Sequence, residues 1–255
     1  MHIERIGQHG PDIVLLHGWA MHGGVFAPLV ARLATRCRLH LVDLPGHGHS
    51  RDSDIPLALD ASANAIAAEV PADAHWCGWS LGGLVALHAA QRGLPMQSLT
   101  MLCATPCFVR KDDWRHGMSA EIFQDFAHGL RTDWRGTLDR FLALEAFGSD
   151  HAKDELRRLR DALFARGEPA TSVLADGLEL LENSDLRAGL AELDLPSLWF
   201  AGRRDRLVSP RAMQDAVAMM PAAQLTVIEH AGHAPFLTHA DELIAAWQPL
   251  LDNRA

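Results

Sequence analysis

No stretch of this chain approaches the ~18 consecutive apolar residues of a membrane-spanning helix. Its first residues, Met1-His2-Ile3-Glu4-Arg5-Ile6, supply neither the basic segment nor the apolar segment of a secretory leader. A soluble cytoplasmic protein with no membrane partner is therefore expected. Positive charge is not in excess either. Against 32 Asp and Glu stand 23 Lys and Arg, a formal net charge of -9, which argues against a general affinity for nucleic acid while leaving room for a local basic patch. Cysteine is scarce: Cys37, Cys77, Cys103 and Cys107 lie mostly in apolar surroundings and read as small buried thiols rather than a disulfide framework. The close pair Cys103 and Cys107 is loosely spaced for zinc and no second pair completes a site, so neither a metal nor a cofactor is expected. Internal repeats and low-complexity segments are missing too.

What is there is enough apolar material for a core: 48% of the 255 residues are hydrophobic, sufficient for one sizeable domain or a domain with an insertion. The apolar runs Asp12-Ile13-Val14-Leu15-Leu16 and 38–42 each stop at a Gly-bearing loop and read as buried strands. Residues 74–77, 99–102, 197–201 and 224–228 are further β-rich runs, and 25–33 has helical spacing. Strands alternating with helices predict an α/β fold, a mainly parallel sheet with helices on both faces. One interval breaks the rhythm. About 93 residues separate Cys103 from Ser197, far more than an ordinary crossover, and 121–130, 134–147, 152–165 and 171–182 look like four helices. Residues 108–190 are therefore expected to form a helical cap inserted into a core made of 1–107 and 191–255, excluding water and shaping a pocket.

The chemistry centres on Gly78-Trp79-Ser80-Leu81-Gly82. With 20 glycines in the chain, this pattern alone arises by chance in roughly one sequence in fifteen of such composition. Its context raises its weight: a strand-like run enters it and helical spacing leaves it, the setting of a nucleophile elbow that pushes a serine Oγ over the carboxyl edge of a sheet. Ser80 then needs a histidine base, and the histidine a carboxylate, in the chain order Ser, Asp or Glu, His. Among His230, His233 and His239, His233 is favoured, because Ala231-Gly232-His233-Ala234-Pro235 is a Gly-bearing loop just past a strand; His230 lies too near that strand and His239 opens the last helix. Asp205 follows the strand 198–201 through Gly202-Arg203-Arg204 and is the favoured carboxylate, its plainer role being a turn or cap before Ser209-Pro210. Asp185 and Asp194 precede that strand and are weaker. Backbone N–H groups of Trp19 and Leu81 are the expected oxyanion donors. His17 precedes Ser80 and reads as structural, while His47 and His49 read as solvated or loop-stabilising.

With Leu15-Leu16-His17-Gly18-Trp19, Asp43-Leu44-Pro45-Gly46-His47-Gly48-His49-Ser50, the Ser80 motif, Gly202-Arg203-Arg204-Asp205 and Gly232-His233-Ala234-Pro235-Phe236 all in order, the chain resembles the α/β-hydrolase superfamily over nearly its whole length. Arg140-Phe141-Leu142-Ala143-Leu144 in the cap narrows this, being similar to the family of pimeloyl-acyl-carrier-protein methyl ester esterases of biotin synthesis. The resemblance implies a cytoplasmic carboxylesterase with Ser80, Asp205 and His233 catalytic. It implies a substrate pocket lined by Trp19, Ser80, Leu81, Phe141, Leu142, Ala143, Leu144, Glu145 and His233, with Glu145 standing where the family leads one to expect glutamine. It also implies docking of the acidic acyl-carrier protein through Arg135, Arg140, Lys153 and Arg157. The competing account of that basic run is a solvated helix face with pairs Asp154–Arg158 and Arg157–Asp161. Two other readings stay open at this level: a general short-acyl esterase or carbon–carbon bond hydrolase with the same serine, and a hydrolase-fold binding protein with little turnover.

Overall fold

The structure, a computed structural model, describes residues 1–252. Seven strands form one sheet in the order β1-β3-β2-β4-β5-β6-β7, where β1 is His2–Ile6, β2 Asp12–Leu16, β3 Arg38–Asp43, β4 His75–Trp79, β5 Ser98–Leu102, β6 Ser197–Gly202 and β7 Ala223–Ile228. Every pair from β3 to β7 is parallel. Only β1 runs antiparallel, pairing Ile3 with Val42 on β3. The residue pattern explains the layers. Strands β2, β4, β5 and β6 are buried along their whole length, as continuous apolar strands must be when helices cover both faces. Polar residues inside them are paired across the ladder, as where His75 Nδ1 meets Ser98 Oγ at 2.7 Å. The edge strand β1 was not anticipated. Its five residues alternate weakly and bury only Ile3, leaving a period-2 signal too short to read.

The helices on the sheet are α1 (Ala27–Leu33), α2 (Leu59–Ala67), α3 (Leu81–Gln91), α8 (Pro210–Val217), α9 (Pro235–Thr238) and α10 (Ala240–Asp252), numbered with the four introduced next. The helical spacing read over 25–33 is divided: a 3-10 turn at Gly23–Phe26 leads into α1, with Pro28 in its first turn. Proline is suited to that position because its missing N–H would have no partner there. Helix α2 went unread because only Ser62, Ala63 and Ile66 of its nine residues are buried.

Between β5 and β6 lie α4 (Ala120–Thr132), α5 (Trp134–Ala146), α6 (Ala152–Leu163) and α7 (Thr171–Asn183). Asp133 separates the first two and caps α5 by accepting the Gly136 N–H at 3.0 Å. These helices are tied to the loops at the carboxyl edge of the sheet. Trp19 Nε1 donates to the Leu174 carbonyl of α7 at 2.8 Å, and Gly177 lets α7 approach, since a Cβ there would stand 2.6 Å from the Trp19 ring. At the α6–α7 turn the Arg166 guanidinium reaches the fully buried Asp43 at 3.2 Å and pairs with Glu4. On α6 the ion pairs differ from the expected ones. Arg157 pairs with Asp154 one turn back at 2.9 Å rather than with Asp161, and Arg158 donates to the Leu237 carbonyl rather than meeting Asp154. An unpaired carbonyl on a neighbouring helix outcompetes a solvated carboxylate for that guanidinium, because the exposed pair is worth little.

Candidate active site

Ser80 is the corner between β4 and α3, at φ 53° and ψ -117°. A non-glycine residue with that backbone stores about 1–3 kcal/mol of strain, and the surroundings hold it there. Its N–H donates to the Leu102 carbonyl at the end of β5 at 3.1 Å, and its carbonyl accepts from Gly83 at 2.9 Å. The two outer glycines of the motif are steric requirements. A Cβ on Gly78 would lie 2.2 Å from the Gly82 carbonyl oxygen, and one on Gly82 would lie 2.3 Å from the Leu16 oxygen. The loop after β2 also packs closely, since a Cβ on Gly18 would stand 3.2 Å from Ser80 Cβ. The backbone of 18–19 therefore borders the serine. Neither the Trp19 nor the Leu81 backbone N–H donates to a protein acceptor among the described residues, so both are available to an oxygen bound beside Ser80.

His233 sits between β7 and α9, fully buried. Its Nδ1 lies 2.8 Å from Asp205 Oδ2, which fixes the proton on Nδ1 and leaves the lone pair on Nε2. That Nε2 is buried without a hydrogen-bond partner. Asp205 is held in turn, its Oδ1 accepting the N–H groups of Leu207 and Val208 at 2.8 and 2.9 Å. His233 is anchored by its backbone as well: Trp79 Nε1 donates to the His233 carbonyl at 2.8 Å, and the His233 N–H reaches the Glu145 carbonyl at 3.3 Å.

The other histidines divide as their contacts dictate. His17 gives its Nδ1–H to the Gly18 carbonyl at 2.8 Å and accepts the Leu44 N–H at Nε2 at 2.9 Å. Burial, aided by the nearby His47 ring, pulls its pKa down to about 3, so it is a neutral strut of the loop. His47 is buried against the Pro45 carbonyl at 3.0 Å, and burial brings its pKa to about 4. His49 is exposed and packs edge-on against His2. His230 is exposed and pairs with Asp150 at 3.0 Å, and His239 separates α9 from α10. Asp185 pairs with Arg187 and Lys111, away from the Asp205–His233 pair.

Of the expected pocket residues, Trp19 and Phe141 meet in an edge-to-face contact at 4.6 Å, and Leu142 and Glu145 are buried. Ala143 is exposed and Leu144 half-buried. Five consecutive residues sweep more than one helical turn, so α5 cannot turn all of them to one side. Glu145 is the unusual member. It is fully buried with neither carboxyl oxygen partnered. Burial foremost, then the negative charge of Asp205 and Glu155, pushes its pKa well above the carboxylate range. Both causes favour the protonated form of this carboxyl over the ionised one.

Two neighbours of the pair escaped the sequence reading. Trp79 looked like a filler of the motif, and its bond to His233 spans 154 residues. Cys103, at φ 44° just past β5, has its thiol within 4.8 Å of the ligand atoms of Asp205 and His233. Burial, then the Asp205 charge, pushes that thiol far up, so it stays protonated. A positive φ is not legible in a cysteine. The four cysteines are free and buried.

The basic positions expected on the helices are unequally free. Arg135 pairs with Glu168 at 2.6 Å and Arg157 with Asp154. Arg140 donates to the Thr137 hydroxyl, and Lys153 is exposed with no ion pair among the described residues.

Known proteins resemble this chain in sequence and in fold. The model of an alpha/beta hydrolase family matches residues 13–246. A pimeloyl-[acyl-carrier protein] methyl ester esterase of Stenotrophomonas maltophilia (strain K279a) is 58% identical over 248 residues, 97% of this chain and 95% of that one. A protein of the same name from Xanthomonas campestris pv. campestris (strain B100) is 59% identical over 246 residues, 96% of each. In fold the chain is similar to an esterase from Exiguobacterium antarcticum, with TM-score 0.87 at 20% identity over 99% of this chain and 95% of that one. It is also similar to an enol-lactonase from Burkholderia xenovorans LB400, with TM-score 0.84 at 21% identity over 99% and 96%.

Proposed function

The chain belongs to the alpha/beta hydrolase family, and from that premise we propose that it is a serine carboxylesterase that hydrolyses the methyl ester of a pimeloyl chain carried on acyl-carrier protein, a step of biotin synthesis. The observation that carries the chemistry is the Asp205–His233 pair at 2.8 Å, with an unpartnered Nε2, at the sheet edge where the strained Ser80 corner stands. Ser80 Oγ attacks the ester carbonyl and its proton passes to His233 Nε2. Asp205 stabilises the imidazolium that forms. The Trp19 and Leu81 N–H groups receive the oxyanion, a contribution worth roughly 3–4 kcal/mol per donor in comparable sites. Collapse breaks the bond to the methoxy oxygen, which leaves as methanol with the proton from His233. Water, deprotonated by His233, then attacks the acyl-enzyme and releases the free carboxylate end of the chain with Ser80 restored.

In this reading residues 108–190 act as a cap over that edge. Trp19, Phe141, Leu142 and Glu145, the buried members of the expected set, contact the acyl chain, while the exposed Ala143 and half-buried Leu144 do not. Burial raises the Glu145 pKa, and in its protonated form this carboxyl is a donor where an ionised one would repel the ester. The carrier approaches over α5 and α6, where Arg135, Arg140, Lys153 and Arg157 lie, and the enzyme works in the cytoplasm.

The test is hydrolysis of the carrier-borne pimeloyl methyl ester by the wild type and by Ser80→Ala. Wild type is expected to release methanol and Ser80→Ala to be slower by at least about 10³-fold. Wild type that labels with a fluorophosphonate yet leaves this ester intact would remove the substrate assignment and keep the serine hydrolase.

A further inference from the structure

The short turn that joins α5 to α6 reaches both of the loops that carry the Asp205–His233 pair. From the loop after β6, Arg204, the neighbour of Asp205 in the chain, donates Nη1 to the Gly148 carbonyl at 3.3 Å and pairs with the Asp150 carboxylate. From the loop after β7, the His230 ring meets that carboxylate at 3.0 Å, and the His230 carbonyl accepts the Asp150 N–H at 3.3 Å. One carboxylate thus answers both loops, Oδ1 facing Arg204 and Oδ2 facing His230. His233 is tied to the same end of α5, since its N–H reaches the Glu145 carbonyl at 3.3 Å.

The approach is close. Gly148 stands at φ 89°, and a Cβ on it would lie 2.8 Å from the Arg204 carbonyl oxygen. A Cβ on Gly232, just before His233, would lie 3.2 Å from the Glu145 carbonyl oxygen. The two loops also touch each other, the Arg204 N–H donating to the Ala231 carbonyl at 3.0 Å. Asp150 adds a charged tie across their solvent side. The side chains of Asp150, Arg204 and His230 are 48%, 39% and 65% exposed, so this network contributes little to the stability of the fold. Its effect lies in where it holds the loops.

We propose that Asp150 is a positioning residue for the Asp205–His233 pair. Seated between Arg204 and His230, it keeps the two loops at the separation that the 2.8 Å bond between Asp205 and His233 requires, so His233 is in register with Ser80 only while the α5–α6 turn is docked. The proposal rests on the reading of His233 as the base that serves Ser80. A misplacement of about 1 Å in such a constellation costs on the order of 10²-fold in rate, and a partial loosening of the loops about five- to tenfold.

The experiment is a double-mutant cycle on p-nitrophenyl butyrate, a small ester that needs no carrier, using wild type, Asp150→Ala, Asp205→Asn and the double variant. Asp150→Ala is expected to lower kcat about five- to tenfold with KM within about twofold, while its melting temperature stays within about 2 °C of wild type. Asp150→Glu, whose carboxylate still reaches both loops, should keep at least about half of the wild-type kcat. In the Asp205→Asn background, Asp150→Ala should cost less than about twofold, because the charged partner it positions is already gone. Gly148→Ala pushes the turn off Arg204 from a different position and should show the same loss with the same dependence on Asp205. A kcat of Asp150→Ala within about twofold of wild type, or an equal loss in both backgrounds, overturns the proposal and leaves the reading of the pair intact. Asp205→Asn that keeps the wild-type rate overturns both, since the pair then has no part in the chemistry.

Discussion

Asp205 makes three hydrogen bonds, two from its own loop and one from His233, and a side chain so fully engaged has one task. Asp205→Asn keeps the shape and turns one acceptor into a donor, so His233 loses the partner that fixes its proton on Nδ1. The expected result is a fall of about 10³–10⁴-fold in kcat with a modest change in KM, measured on a nitrophenyl ester across pH. Glu145 makes a different prediction. Its carboxyl is raised above the ordinary value of 4.5, foremost by burial, so the native chain keeps a proton that the unfolded chain releases. Stability is therefore full below about pH 4.5 and declines as pH rises toward the raised pKa. Glu145→Gln removes that decline, and its melting temperature should gain on wild type as pH rises above about 4.5 toward the raised pKa, by an amount that grows with pH across that range. A constant offset across that range would count against an ionising Glu145. The Ser80 corner and the Asp205–His233 pair were readable from sequence because the chemistry looked for dictates residue type, chain order and a loop after each strand. Trp79 and Cys103 were not, because their work depends on contacts made in three dimensions and, for Cys103, on a backbone angle that its side chain does not announce.

Strands and helices with sustained periods were the legible elements. The four helices between β5 and β6 were visible through their spacing and their Gly and Pro breaks. Strand β1 and helix α2 were invisible, since each buries too few residues to print a pattern. Packing between elements was the larger loss. Gly177 reads as a weak point in α7, yet it is where that helix meets Trp19, and a Cβ there falls 2.6 Å from the indole. Alanine at this position favours the helix by about 1 kcal/mol in propensity and pushes it off the loop that carries a proposed oxyanion donor. Gly177→Ala is expected to lower kcat several-fold on a small ester while far-UV circular dichroism keeps its helical signal. Unchanged kcat would show that the Trp19 loop does not depend on α7.

Across the whole molecule, the inserted helices and the sheet share charged and hydrogen-bonded contacts as well as apolar ones. Arg166 is the clearest: largely buried, it answers the fully buried Asp43 and the Glu4 carboxylate of the edge strand. Arg166→Ala leaves Asp43 with its bonds to the Gly23 and His49 N–H groups and no cation. Loss of one partner of such a pair costs about 3–5 kcal/mol, which urea unfolding should register. Arg166→Lys should recover only part of it, because an ammonium cannot span two carboxylates as a planar fork does.

The bond from Trp19 Nε1 to the Leu174 carbonyl bears on how such enzymes could be rebuilt. Hydrolases are attractive as chassis onto which a foreign specificity module is grafted between two fixed strands. In this chain the segment to be exchanged also braces the loop beside Ser80, so a donor module without an acceptor at that carbonyl and a glycine facing the indole would disable the chassis. A chimera of that kind should be slow even toward acetate esters small enough to ignore the module, and restoring those two features in the graft should bring the rate back.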